Sequence, residues 1–134
     1  ATAKEALVAS GSPAKLIAVT WLTSSGQTEL DALGLNTTPE AMVSRLASMT
    51  ANAGLDGVVC SAQEASSLRQ AHGDDFLLVT PGIRPAQASA DDQQRIVTPK
   101  QAMQNGSSYL VIGRPITKSA DPCKTILTIN SEIG

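Results

Sequence analysis

Apolar residues along this chain gather in four short, nearly unbroken runs, from Leu16 to Leu22, Leu55 to Cys60, Phe76 to Val79 and Tyr109 to Ile112. Runs of that length read as strands buried on both faces, as in parallel sheets. The intervals between them carry helix signals instead. Asn36-Thr-Thr-Pro-Glu40 places hydroxyl caps before Pro39, where no first-turn N–H is needed, and Glu40 near the positive end of the dipole. The helix that follows should run to about Ala53, with Met42, Leu46 and Met49 as its apolar stripe and Gly54 as its stop. Ser61 with Gln63 and Glu64 has the form of a capping box and predicts a helix from Ala62 to about Ala71, closed by Gly73. Thr98-Pro99 opens another that ends at Asn105-Gly106, and Asp121-Pro122 opens the last, with an apolar face of Ile126, Leu127 and Ile129. A short helical piece from Glu29 to Leu33 stops at Gly34.

The first ten residues also favour helix but lack a cap or lead-in, so we expect the tail of a helix whose beginning lies elsewhere. The order is then strand and helix four times over. Strict alternation with crossover helices makes the chain an α/β protein with parallel strands and right-handed βαβ units. An eight-unit (β/α) barrel needs about 250 residues. The 134 residues here form one unit, 1–134, with half that number of strand–helix repeats.

Two of the strands end alike. Phe76–Val79 leads into Pro81-Gly-Ile-Arg84 and Tyr109–Ile112 into Gly113-Arg114, so each carboxyl end offers a glycine turn and an arginine. In α/β barrels and open sheets ligands sit at that end. The polar loop between the two arginines is too long for a plain connection, and Thr23-Ser-Ser-Gly26 after the first strand is a second loop suited to a ligand.

A net charge of −2 gives no general reason to expect nucleic acid or an anionic membrane, so an anion would have to be held locally. No apolar run approaches the roughly 18 residues of a spanning helix, and the start of the chain lacks the pattern of a secretory signal, so we expect a cytoplasmic protein. Cys60 and Cys123 are too few for a disulfide framework, and with His72 the single histidine they suggest no metal site. Asp31, Asp56, Asp74 and Asp75 are expected in turns and on exposed faces.

Five blocks in order carry a family resemblance: Ala18-Val-Thr-Trp-Leu-Thr-Ser, Gly54-Leu-Asp-Gly-Val-Val-Cys-Ser-Ala-Gln-Glu-Ala, Leu78-Val-Thr-Pro-Gly-Ile-Arg-Pro, Asp92-Gln-Gln-Arg-Ile-Val-Thr-Pro and Val111-Ile-Gly-Arg-Pro-Ile-Thr. Together they resemble the C-terminal half of bacterial orotidine 5′-monophosphate decarboxylase. The resemblance implies the last four βα units of a TIM barrel, a homodimer, a carboxy-lyase of pyrimidine biosynthesis, and no metal or organic cofactor. It implies that Arg114 and the Gly113 backbone hold the 5′-phosphate of orotidine or uridine monophosphate, with Arg84 beside it. Gln93 would bridge phosphate and base, the Thr23 hydroxyl would contact the pyrimidine amide, and Pro81 would line the base pocket. A guanidinium suits this task because it gives two parallel charge-assisted bonds to a phosphate.

The family's Asp-x-Lys-x-x-Asp pattern does not occur in this sequence. Lys15 precedes its strand, and Lys118 lies past the Arg114 turn with no carboxylate pattern around it. The chain by itself is therefore expected to be inactive and to pair with the missing N-terminal half or with a second copy. Taken singly, Arg114 reads equally as a surface arginine; the lesser readings of the others are Arg84 as a partner of Asp91 or Asp92, Gln93 as solvated loop and Thr23 as a strand terminus. His72 reads as a last-turn helix residue and Cys60 as a small core hydrophobe. Two other functions remain open: another phosphate-binding barrel enzyme, such as a sugar-phosphate decarboxylase or epimerase, and a non-catalytic half-barrel.

Overall fold

The computed structural model describes residues 2–22, 25–85 and 97–134. Its four strands are β1 (Ile17–Val19), β2 (Gly57–Val59), β3 (Leu77–Pro81) and β4 (Tyr109–Val111). They form one sheet in the order β1-β2-β3-β4, every pair parallel. The helices are α1 (Thr2–Ala9), α2 (Gln27–Ala32), α3 (Pro39–Asn52), α4 (Ala65–His72), α5 (Pro99–Gln104), α6 (Arg114–Thr117) and α7 (Pro122–Ile133). The expected alternation is present. β1, β2 and β4 are shorter than their apolar runs, which continue into turns, whereas β3 extends two residues past its run, to Pro81.

Side chains alternate between the faces of a strand. On one face Val58, Cys60 and Leu78 meet Val43 and Ala47 of α3, Ala65 and Leu68 of α4, and Phe76, all buried in one cluster. The register aligns Val19, Val59, Val79 and Tyr109 in a row on the other face. Of these, Val19 is 59% and Tyr109 60% exposed. Among the described residues, helices pack against the first face only.

Local capping explains the helix starts. Thr38 accepts from Ala41 N at 3.2 Å, Thr98 from Gln101 N at 3.2 Å and Asp121 from Lys124 N at 3.0 Å, each with proline at the first helical position. α4 begins at Ala65, three residues later than expected. Glu64 does fold back to Ser61 N (3.0 Å), but the Ser61 hydroxyl accepts from Gln63 N at 3.3 Å, which tightens residues 61–64 into a turn. The stripe of α3 is also rotated from expectation. Met42, Val43, Ala47 and Thr50 are buried while Met49 is 61% exposed, because the core lies on the Val43–Ala47 side. In α7 only Ile129 is buried, with Ile126 and Leu127 exposed. α6 was not foreseen.

Asp56 is no exposed turn residue. At the lower edge of the sheet, where the strands begin, its carboxylate receives Lys4 Nζ from α1, Leu16 N at 2.8 Å and, at 3.8 Å, Lys15 Nζ. The Lys4 hydrogen bond first, then the Leu16 N–H, hold its pKa below the ordinary carboxylate value, against the opposing effect of burial. A depressed folded-state pKa adds stability above the unfolded value of about 3.9, and that stability is lost as pH falls through the folded value. Asp56→Asn should thus lower the urea midpoint at pH 7, with the gap to the parent narrowing below about pH 4. Midpoints at one fixed protein concentration, measured at pH 7 and pH 3, check this; an equal gap at both would remove the ion pairs from the account.

Candidate functional site

The carboxyl ends of β3 and β4 lie side by side because Pro81 is in register with Val111. Arg84 and Arg114 each follow a member of that pair by three residues. After β3 the chain turns at Gly82, whose φ of 79° is one that side-chain-bearing residues rarely adopt. It then forms a parallel bridge between Ile83 and Val97, with Arg84 N bonded to Val97 O at 3.1 Å. Arg84 is only 9% exposed and has an interaction partner.

After β4, Gly113 is followed directly by α6, with Arg114 at its first position and Pro115 at its second. Ile116 N and Thr117 N both bond back to Gly113 O, at 2.9 and 3.1 Å. Arg114 is exposed, and among the described residues it has no ion-pair partner. The two arginines thus differ in state, one enclosed and one open to an incoming anion.

A cleft of ≈ 1130 Å³ opens above β1 to β3, lined among others by Trp21, Ser25, Ser61, Pro81, Gly82 and Val97. Of the described candidates only Pro81 lines it; Arg84, Gly113 and Arg114 do not. Thr23 and Gln93, with Asp91 and Asp92, lie outside the described residues. Trp21 and Ser61 were not singled out from the sequence as site residues, although both follow a strand's carboxyl end, the one signal that would have found them. The Trp21 Nε1 is enclosed and has no hydrogen-bond partner among the described residues.

Cys60 sits beneath this end of the sheet. Burial above all, then the Glu64 charge, pushes its thiol up to about 12, with Arg69 opposing. It remains protonated and acts as core, not nucleophile. His72 also has a packing role, its ring 4.9 Å from that of Phe76 and its Nε2 enclosed without a hydrogen bond among the described residues.

Parallel βα units in sequential order, with helices on one face of the sheet and loops carrying arginines at the strand ends, define part of a (β/α)-barrel protein. The sequence matches the model of the Orotidine 5'-phosphate decarboxylase / HUMPS family over residues 1–129, and the chain belongs to that family. It is 56% identical over 132 residues to the orotidine 5'-phosphate decarboxylase of Nitrosococcus oceani, covering 98% of this chain and 57% of that protein. The crystal structure of orotidine 5'-phosphate decarboxylase from Lactobacillus acidophilus is similar at a TM-score of 0.81 and 42% identity, over 99% of this chain and 57% of that one. The enzyme of the same name from Pyrococcus horikoshii shares the fold, at a TM-score of 0.64 and 18% identity, over 89% of this chain and 50% of that one. The chain spans about half the length of the curated relatives it matches. Among the described residues no helix is long and apolar enough to cross a membrane.

Proposed function

We propose that this chain is the substrate-holding half of an orotidine 5′-monophosphate decarboxylase, a cytoplasmic, homodimeric carboxy-lyase that acts without a cofactor when its barrel is complete. The observation that carries the proposal is the matched placement of Arg84 and Arg114 beyond the Pro81–Val111 register pair, in a chain of this family. In this reading Arg114, with the Gly113 backbone, binds the 5′-phosphate. Arg84, largely enclosed, supports the same anion from β3, and Pro81 lines the cleft as a wall for the pyrimidine. Thr23 and Gln93 remain the proposed contacts to the base amide and the phosphate–base bridge. Buried, protonated Cys60 and unpaired Cys123 suit a reducing compartment.

Decarboxylation at C6 of the pyrimidine also needs a group to stabilise the developing carbanion and another to protonate it. The Asp-x-Lys-x-x-Asp pattern that the resemblance assigns to these tasks is absent from this sequence. Holding the phosphate equally in ground and transition states does not raise the chemical rate, so the chain alone binds but does not turn over.

The test is titration of the chain with uridine 5′-phosphate and with uridine. Arg114→Ala should weaken the nucleotide by roughly 10- to 100-fold, the worth of a charge-assisted contact, while leaving the nucleoside nearly unchanged. Equal proportional losses for the two ligands would reject the phosphate role. Decarboxylation of orotidine 5′-phosphate by the chain of verified mass would reject the division of labour.

A further inference from the structure

We propose that Asn105 is a site of covalent modification: when the end of α5 opens, its side-chain amide is lost to attack by the Gly106 nitrogen, and the acid left behind cannot restore the contacts that had closed it. The inference goes beyond the nucleotide site and rests on contacts made within the described βα units. Asn105-Gly106 is the one Asn-Gly pair in the sequence. Glycine has no side chain to hinder its own amide nitrogen, so that nitrogen can reach the neighbouring Asn105 Cγ. The bond from Gly106 N to Cγ forms as the bond from Cγ to Nδ2 breaks, and Nδ2 leaves as ammonia with the proton that Gly106 N gives up. Water then opens the cyclic imide at either carbonyl. One opening yields aspartate, the other isoaspartate.

The closed fold opposes this reaction at each atom it uses. Asn105 is the C-cap of α5, with φ −72° and ψ −7°, and Gly106 follows at φ 99°. In that turn the Gly106 N–H donates to Met103 O at 2.9 Å. Ring closure requires ψ to rotate until the nitrogen lies over Cγ, which breaks that bond. The leaving Nδ2 donates to Ala62 O at 2.9 Å, and Oδ1 accepts from Gln101 Nε2 at 2.8 Å. From the other side Arg69 Nε and Nη2 donate to Gly106 O at 3.2 and 2.8 Å. The reaction therefore proceeds from the opened helix end.

The return is barred by chemistry. An aspartate at this position has no N–H for Ala62 O and sets a carboxylate against that carbonyl. Isoaspartate lengthens the main chain by one carbon and carries Gly106 O away from Arg69. Ala62 belongs to the turn over residues 61–64 that lines the cleft. One opening of α5 thus becomes a permanent loosening of that wall.

The test holds the chain, its fold verified by its far-ultraviolet spectrum, in mildly alkaline buffer beside the same chain in strong urea, and follows the peptide containing Asn105 by mass spectrometry. Conversion should be about tenfold or more slower in the folded chain, a factor that one or two net hydrogen bonds supply. Gln101 is exposed, so Gln101→Ala leaves the core intact and frees Oδ1 alone. It should speed conversion several-fold in the folded chain and leave the rate in urea unchanged. Asn105→Asp, which places the product in the chain directly, should lower the urea midpoint. Equal rates in the folded and unfolded chain, or a folded rate indifferent to Gln101→Ala, would overturn the gating. An Asn105→Asp chain as stable as the parent would overturn the barred return, and no conversion in urea would remove the site altogether.

Discussion

Arg69→Ala is expected to cost about 3 kcal/mol, a large share of the roughly 5–15 kcal/mol that holds a domain of this size folded. Arg69 lies on α4, with its stem against the α5–β4 turn and its guanidinium among the residues where β3 and β4 begin. Nε and Nη2 donate to Gly106 O at 3.2 and 2.8 Å, and Nη1 to Gly73 O, Asp74 O and Phe76 O at 2.6, 3.0 and 2.7 Å. Nη2 also reaches Ser108 Oγ at 2.9 Å, which in turn accepts from Leu78 N at 3.0 Å. Removing the guanidinium leaves these carbonyls to whatever water can reach, and partial exposure of the site keeps the loss from being larger. Arg69→Lys should recover only part of it, since a single ammonium lacks the planar fork that serves both turns. Urea unfolding at one fixed protein concentration checks the order parent, lysine, alanine. An alanine variant within about 0.5 kcal/mol of the parent, the scatter of neutral surface changes, would show that these bonds contribute little.

The second large effect should come from a single methyl group. A Cβ at Gly57 would lie 2.1 Å from Leu77 O and 2.5 Å from Leu77 Cβ, and Leu77 is its register partner in β3. Main chain cannot swing aside as a long side chain can, so β2 and β3 must separate at the centre of the sheet. We expect Gly57→Ala to cost about 3 kcal/mol, the upper end for overpacking, or to prevent folding. Gly54→Ala is the natural comparison, because its φ is 75° but nothing lies within 4 Å of the added atom. Its cost should be about 1–2 kcal/mol, the conformational penalty alone. A larger loss at Gly54 than at Gly57 would mean that backbone conformation, not contact with Leu77, governs the pair.

What could be seen in the sequence was local, and what could not was mostly long-range. Thr38, Thr98 and Asp121 were legible as caps because each acts on an amide three residues away, within the span of one helical turn. The strand runs were legible because a covered parallel strand is apolar at nearly every position. Arg69 and Asp56 were not, since their partners lie up to 39 and 52 residues away in the chain. No local pattern marks an arginine that will meet a turn formed later, or an aspartate that will receive the chain's fourth residue. The α3 stripe failed for a related reason: Met49 has the right spacing and chemistry, but the sheet lies on the adjacent side of the helix. At the site, the Gly82 turn and the Gly113–Arg114 turn were legible as breaks after strands. That one arginine would be enclosed and the other open depends on α6 and on the bridge to Val97, neither of which has a signature in the residues around it.

That bridge has a consequence for how much this chain can vary. Ile83 and Val97 fasten the two ends of the intervening segment to one point on the sheet, and α5 begins almost at once under the Thr98 cap. The fold therefore registers where the segment leaves and returns, but not how long it is. Lengthening a closed loop is inexpensive, about 0.6 kcal/mol for each doubling. The Val58–Leu78 core and the Arg69 bonds are formed by residues outside the interval between those two anchors. Gln93, the proposed bridge between phosphate and base, lies in that interval, so a change of length there would be read in ligand preference before it is read in the strands.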